Sequence, residues 1–522
     1  MRSSARAAGW SKPLRVWTLG ILWLGALAGG AALLTTRHGI GLRSDSAVYV
    51  AAARNLLGGD GLSWLSGGGE VRPMTFYGPL LSLVLAGAEG IGLDGIAFAR
   101  WLNALWLTLD VVLVGELARR MTRSIGFGLV AALIVAGTGE LLRVHVWLMS
   151  EPLFAPLVLG SVLALTAFFE GRNRAWLVLS ALGVGLAALT RYAGLGLPLA
   201  GAAMLWIDPQ STWRRRLSEA SLMLALGLGP SALWMARGVL LTGQTGGRSF
   251  GFSLGLWPEI RNQAFAIAMN WFAPLRLVEI IMARPHLVAL LVSLAGLAVA
   301  VLIAMLLRRS VRLAAVTDPR LSGTVLLLFS LAAFLSVVFA AALFSRPTPD
   351  VDERVLSLAY LMLCPLLAAL LAWLWGRGLA LRVMIVVVLV LFLRNKLVYD
   401  YWTIRELSAD GLGYASRAWR SSPTIEEVVA MDPGVIYTNE TAAIYLLANR
   451  PSYWVPWALP GYDPGSADRI EAEMLEVLLE HNGVVVLFGD GDLPPGWSGA
   501  GLRTAVQTDD GVILSPDSGE PG

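Results

Sequence analysis

The sequence predicts a polytopic α-helical membrane protein of about 11 transmembrane helices. Interfacial helices on its outer face and a small C-terminal α/β domain complete the predicted architecture. Three observations carry this prediction. Of 522 residues, 56% are hydrophobic and only 15% charged, with a mean hydropathy of +0.65; a soluble domain carries roughly 25% charged residues. Apolar runs near the ~20 residues that cross a bilayer recur along most of the chain. The two signs of charge are also segregated. Residues 1–396 hold 34 basic and 18 acidic side chains, whereas residues 397–522 hold 6 and 19. A soluble enzyme, a disordered scaffold and a secreted disulfide module are thereby excluded. The single cysteine, Cys364, lies in an apolar run, so no intrachain disulfide can form. Four histidines and that one cysteine argue against a structural zinc site.

The basic N-terminal segment (Arg2, Arg6, Lys12, Arg15) precedes an apolar stretch from Val16 to Leu34. Ala26-Leu27-Ala28 resembles a cleavage site, but the stretch is long enough to span and many spans follow. It reads as an uncleaved first helix with a cytoplasmic N-terminus. Basic clusters then fall at Arg119-Arg120/Arg123, Arg172/Arg174, Arg214-Arg215-Arg216, Arg308-Arg309/Arg312 and Arg377/Arg382, one apolar pair apart. Short basic loops are retained in the cytoplasm, so these arginines mark one face of the membrane rather than a nucleic-acid surface. The spans read 16–35, 97–117, 126–145, 152–169, 175–190, 193–207, 218–241, 287–307, 323–344, 355–376 and 381–397. The first loop, 36–78, then lies outside, with the turns near Ser150 and Arg191, the loops 242–285 and 345–354, and the acidic tail. Stretches 79–93 and 259–283 suit helices lying in the outer interface, the second being interrupted by Arg261 and Arg276. Two domains follow: a membrane domain over 1–397 and an acidic extracytoplasmic α/β domain over 398–522. In the tail, 435–437 and 484–487 read as buried strands, and 440–448 and 467–481 as helices.

An ionisable residue at mid-bilayer costs about 2.5–3.5 kcal/mol, so each one at a membrane edge needs a reason. On the outer side the candidates converge. Asp45 opens SDSAVYVAAARNLLGGDGLSW, a helix that Ser44 would cap and Gly58-Gly59 would end. Tyr49, four residues on, shares the face of Asp45, while Arg54 points elsewhere. Glu151 in LMSEPLF begins a span just after Arg143 and His145, an unusually polar turn. A carboxylate there is favoured by the helix dipole in any case, and Pro152 suits the first helical position. Arg191 in LAALTRYAGLG interrupts an apolar run on the non-cytoplasmic side. It therefore wants an anion, either a carboxylate such as Glu151 or a lipid phosphate. Arg354, beside Asp350, Asp352 and Glu353, is placed in the same way.

SDSAVYVAAARNLL, TFYGPLLSLVLA, RWLNALWLTLDVVLVGELARR, LMSEPLF, LAALTRYAGLGLPLA and DERVLSLAYLML form an ordered series. Together they resemble bacterial polyprenyl-phosphate-sugar-dependent glycosyltransferases of the protein-mannosyltransferase/aminoarabinose-transferase type, within the glycosyltransferase C (GT-C) superfamily. The resemblance covers about residues 15–375. It implies a catalytic acid in the first outer loop at Asp45 and a second acidic position at Glu151. It also implies a donor-phosphate contact at Arg191. Tyr49, Tyr77, His145 and Tyr192 are expected to line the pocket. Relatives often carry a basic or histidine residue and two prolines where this chain has Phe76-Tyr77-Gly78-Pro79. Donor binding then leans on Arg191, Arg354 or Arg72.

The implied chemistry is an inverting displacement at the anomeric carbon. Asp45 would accept the proton of the acceptor hydroxyl, and arginines would hold the charge on the departing phosphate. The donor is a polyprenyl-phosphate-linked hexose or pentose in the bilayer of a bacterial plasma membrane; the acceptor is a glycan, a lipid or a protein. With arginines available no metal or other cofactor is required, although Asp45 and Glu151 are two carboxylates that together offer one a site. The chief alternative is a transporter or flippase of lipid-linked saccharides, but transporters place charges near the midplane in repeated halves. Here the charges gather at one face and no internal repeat is seen. A membrane component whose acidic tail binds a partner is the third reading. In the tail, Trp454, Trp457 and Tyr462 either stack on a sugar or pack the small domain.

Overall fold

The structure is a computed structural model. It describes residues 12–65, 71–243, 249–273, 275–284, 286–288, 290–291, 318–458, 467–489 and 501–517. In chain order the helices begin with α1 (Lys12–Thr35), α2 (Ser44–Gly58), α3 (Leu80–Gly90), α4 (Gly95–Thr122), α5 (Ile125–Ala136) and α6 (Gly139–His145). They continue as α7 (Glu151–Gly171), α8 (Arg174–Thr190), α9 (Leu197–Trp206), α10 (Trp213–Thr242), α11 (Trp257–Phe272) and α12 (Leu275–Met282). The remainder are α13 (Pro319–Phe344), α14 (Glu353–Trp375), α15 (Leu379–Asp410), α16 (Pro423–Met431) and α17 (Ala467–Glu480), besides shorter turns.

The chain is a polytopic helical membrane protein. Among the described residues six helices (α1, α4, α7, α10, α13 and α14) are long and apolar enough to cross a membrane, and a seventh span forms if α5 and α6 are one bent pair. The pair breaks by 61° at Gly137-Thr138-Gly139, where α5 ends with the Gly137 N–H on Leu133 and Thr138 starts α6. Paired small residues are a usual cause of such kinks. All the anticipated spans fall on helices except 287–307, which lies almost wholly outside the described residues.

The helices and strands form two compact units. The larger holds the first helix up to Leu34, Thr75–Leu81 and Trp101–Glu406. Lipid offers helices no hydrophobic drive to associate, so they approach through small residues. A Cβ on Gly185 of α8 would run into the Leu226 carbonyl of α10, and one on Gly227 would stand 2.7 Å from Pro198.

The smaller unit holds Thr35–Met74, Ser82–Arg100 and the chain from Leu407 onward. Its first part contains α2 and a hairpin of β1 (Ser63–Leu65) and β2 (Val71–Pro73). Helix α2 differs from expectation at its start. Arg43, not Ser44, is the capping residue; it is extended (φ −132°), and its backbone N–H donates to Ser46 Oγ at 3.0 Å. The other end is as expected, with Gly59 left-handed at φ 96°. After β3 (Ser249–Phe250) and β4 (Ser345–Arg346), which pair within the larger unit, come β5 (Ile436–Thr438), β6 (Tyr453–Trp454), β7 (Val484–Phe488), β8 (Leu502–Gln507) and β9 (Gly511–Pro516).

These five form one sheet in the order β6-β5-β7-β9-β8, parallel across β6-β5-β7 and antiparallel beyond. The unbroken apolar run of β7 has a simple cause: both faces are covered. Val485 and Leu487 pack with Met474 and Leu478 of α17, while Val484 and Val486 pack with Ile425 and Val428 of α16. Trp457 packs against the first of these clusters; Trp454 lies on edge strand β6, and Tyr462 falls outside the described residues.

Candidate active site

Glu151, Arg191 and Arg354 meet in the larger unit. Glu151 is the first residue of α7, Arg191 follows the last residue of α8, and Arg354 is the second residue of α14. Glu151 Oε1 lies 2.7 Å from Arg191 Nη1 and 3.2 Å from Arg354 Nε. The carboxylate side chain is 3% exposed, while the two guanidinium side chains keep 22% and 24% exposure. Neither contact has aligned hydrogen-bond geometry at Oε1, so the pairing is Coulombic. Arg191 Nη1 also donates to Ser150 Oγ at 3.0 Å, and Arg354 Nε lies 3.4 Å from Asp352 Oδ2.

Helix dipoles explain the arrangement. A carboxylate at the N-terminus of α7 and a cation beyond the C-terminus of α8 are each favoured. Arg354 sits at the N-terminus of α14, where a cation is disfavoured, and the two carboxylates beside it offset this. Asp352 serves twice, since its Oδ1 accepts the Val355 N–H at 2.8 Å and caps α14. Two cations thus share one buried anion, and both guanidiniums stay partly exposed, with donors that suit a phosphate.

The segment 75–78 is fastened beside Arg191. Tyr192 Oη donates to the Thr75 carbonyl at 3.1 Å, and Trp234 Nε1 reaches both Tyr192 Oη (3.1 Å) and the Tyr77 carbonyl (3.2 Å). The Tyr77 ring meets Phe76 edge to face at 4.9 Å. Gly78 allows the approach, because a Cβ there would stand 2.7 Å from the Thr190 carbonyl oxygen and closer still to that of Leu189. Both blocking atoms are backbone and cannot swing away. Gly78→Ala is expected to destabilise the protein by about 2–3 kcal/mol, the upper part of the overpacking range. Thermal unfolding of the reconstituted variant checks this, and an unchanged midpoint would refute the close approach.

His145 does not join the cluster. Its Nε2 is 3.2 Å from Asp110 Oδ2, with both side chains essentially buried, and its Nδ1 lies 2.9 Å from the Leu141 carbonyl. The pair belongs to a brace that sequence reading missed. Asn103, seven residues before Asp110 on α4, donates through Nδ2 to the carbonyls of His145 (2.8 Å) and Trp147 (2.7 Å). It thereby holds the turn that leads to Ser150 and Glu151. An amide and a carboxylate inside RWLNALWLTLDVVLV were the available signal, since polar residues in a span need partners.

The other candidates lie in the smaller unit. Asp45 is in the first turn of α2, partly exposed, where the helix dipole favours a carboxylate. Tyr49 is one turn on and 3% exposed. Arg72 is exposed on β2 opposite Trp64. Arg54, late in α2, lies 3.8 Å from Glu89 Oε1 of α3, and burial raises the Glu89 carboxyl above its ordinary value while Arg54 opposes the rise.

No protein-family model and no curated protein matches the chain. Solved structures do. The chain is similar to the Archaeoglobus fulgidus oligosaccharyltransferase AglB in complex with an inhibitory peptide and a dolichol-phosphate. The TM-score is 0.55 at 11% identity, over 92% of this chain and 70% of that one. It is also similar to ArnT from Cupriavidus metallidurans bound to undecaprenyl phosphate, with a TM-score of 0.51 and 15% identity over 97% of this chain and 100% of that one. Both neighbours are GT-C glycosyltransferases, and the fold of this chain is theirs.

Proposed function

We propose, with the GT-C fold as premise, that the protein is a membrane glycosyltransferase that takes a hexose or pentose from a polyprenyl-phosphate donor and places it on an acceptor hydroxyl. The observation that carries this reading is the cluster of Arg191 and Arg354 on the buried Glu151. A fold whose solved examples include ArnT bound to undecaprenyl phosphate and an oligosaccharyltransferase bound to dolichol-phosphate and a peptide supports it.

In this reading the lipid phosphate is the leaving group, and the two guanidiniums stabilise the charge that gathers on it as the glycosidic bond breaks. Glu151 sets the spacing and orientation of the arginines, and Ser150 fixes the Arg191 end. Asp45 takes the proton of the acceptor hydroxyl as that oxygen attacks the anomeric carbon from the side opposite the phosphate, so configuration inverts. The residues supply proton acceptance and charge stabilisation without a metal. The reaction runs on the extracytoplasmic side of a bacterial plasma membrane, with the N-terminus cytoplasmic, and the acceptor is a glycan, a lipid or a protein.

Proteoliposomes holding the purified protein and radiolabelled polyprenyl-phosphate sugars test the proposal. Label is expected to leave the lipid by transfer or slow hydrolysis. Label that stays on the lipid and changes leaflet would make the protein a flippase instead.

A further inference from the structure

Three features of the smaller unit converge on the helix that carries Asp45. Just ahead of α2, Leu42 pairs with Gly413, and the Tyr414 N–H donates to the Leu42 carbonyl at 3.1 Å. Leu42 and Ala415, on the two sides of this pairing, are both buried. Late in α2, Arg54 Nη1 donates to Asn449 Oδ1 at 2.9 Å, and its guanidinium carbon lies 5.8 Å from the centre of the Tyr445 ring. Finally, Tyr414 Oη donates to Glu440 Oε2 at 2.7 Å, and Glu440 opens the short helical stretch that ends at Asn449.

These contacts close a ring. Leu42 connects to Tyr414, Tyr414 to Glu440, the helical stretch to Asn449, Asn449 to Arg54, and Arg54 back along α2 to Leu42. Asp45 lies within the α2 arc of that ring, three residues from one fastening and nine from the other. The far side of the ring is anchored in the sheet. Asn439 exchanges two hydrogen bonds of 3.0 Å with the Phe488 backbone at the end of β7. Asn449 is held at φ 53°, a left-handed conformation that asparagine tolerates, so its amide is set by the backbone. Each link by itself is a modest surface interaction, but a closed ring has no end from which to fray.

We propose that the C-terminal sheet domain is a clamp on α2, and that Arg54 and Tyr414 are positioning residues for Asp45. This deepens the proposed function, because it rests on Asp45 being the proton acceptor. A base on a partly exposed loop helix loses catalytic efficiency when displaced by even one ångström, at a cost of up to about 100-fold. The clamp supplies the rigidity that a first loop alone lacks.

The test uses the full-length protein in nanodiscs, with Arg54→Ala, Tyr414→Phe and Asn449→Asp. Hydrogen exchange over residues 44–58, with no substrate present, reads the clamp directly. Exchange is expected to quicken in Arg54→Ala and Tyr414→Phe. It should stay as in the parent in Asn449→Asp, which keeps the acceptor oxygen. Unchanged exchange in the first two would overturn the proposal. In turnover assays, kcat is expected to fall about tenfold in Arg54→Ala, within the displacement range above, with the KM for the donor lipid unchanged and Asn449→Asp near the parent. A parallel shift of kcat and donor KM would mark general destabilisation and also overturn it. If exchange behaves as expected but Asp45→Asn still turns over, the clamp stands and the assignment of the base is wrong. Should Arg54→Ala fail to fold, Tyr414→Phe decides the question, because it removes one hydroxyl and keeps the backbone link to Leu42.

Discussion

Asp45→Asn is expected to lower kcat for sugar transfer by about 100- to 10,000-fold, the range for loss of a positioned general base. The substitution keeps size and shape and still offers an acceptor oxygen, so α2 should fold as before. What it removes is the ability to hold a proton. The acceptor hydroxyl must then attack without giving up its proton, and the barrier rises at that step alone. The KM for the donor should change little, since donor affinity is assigned to the arginines of the larger unit. Initial rates in proteoliposomes, with circular dichroism to confirm folding, are the check. Transfer at the parental rate would remove Asp45 from the mechanism.

Arg191→Ala is expected to cost about 100- to 1,000-fold in kcat, as does the removal of one preorganised donor at a site of developing charge. Arg191 lies closer to Glu151 than Arg354 does and is also bound to Ser150. Its loss leaves Glu151 to Arg354, which Asp352 already shares, so one of two partly exposed guanidiniums is gone and the local charge turns negative. Donor affinity should fall together with kcat, in contrast to Asp45→Asn. Arg191→Lys should recover only part of the loss, because a single ammonium cannot reproduce a planar fork of donors. Direct binding of polyprenyl phosphate to the variants would decide the matter, and parental affinity in Arg191→Ala would refute the assignment.

Much of the candidate site is legible in the sequence. Arg191 is conspicuous because an arginine in an apolar run must find an anion, and Glu151 is one choice; the two are 2.7 Å apart. Arg354 was legible from its position at a span start. Other features stayed hidden. The two-carbonyl grip of Asn103 depends on a turn bent back toward α4, and no local pattern encodes that approach. His145 looked like part of a polar turn, yet its true neighbour, Asp110, is 35 residues away. Gly78 carries no local signal for its close approach, because the atoms that demand a glycine belong to the backbone of α8. In the sheet, β7 was plain from its apolar run, whereas edge strand β8 is largely exposed and carries no comparable signal.

The sequence by itself determined that this is a helical membrane protein with a charge-segregated tail, where most of its spans run, and which ionisable residues needed an explanation. It could do so because burial in lipid is a local requirement: every apolar run, every basic loop and every stranded charge declares itself within about 20 residues. Only the tertiary structure decided that Glu151 is shared between two arginines, that His145 turns to Asp110, and that Thr35–Met74 folds with the sheet rather than with the spans. Those outcomes rest on partners tens to hundreds of residues apart, such as Arg54 and Asn449, whose meeting is set by packing and not by any pattern along the chain.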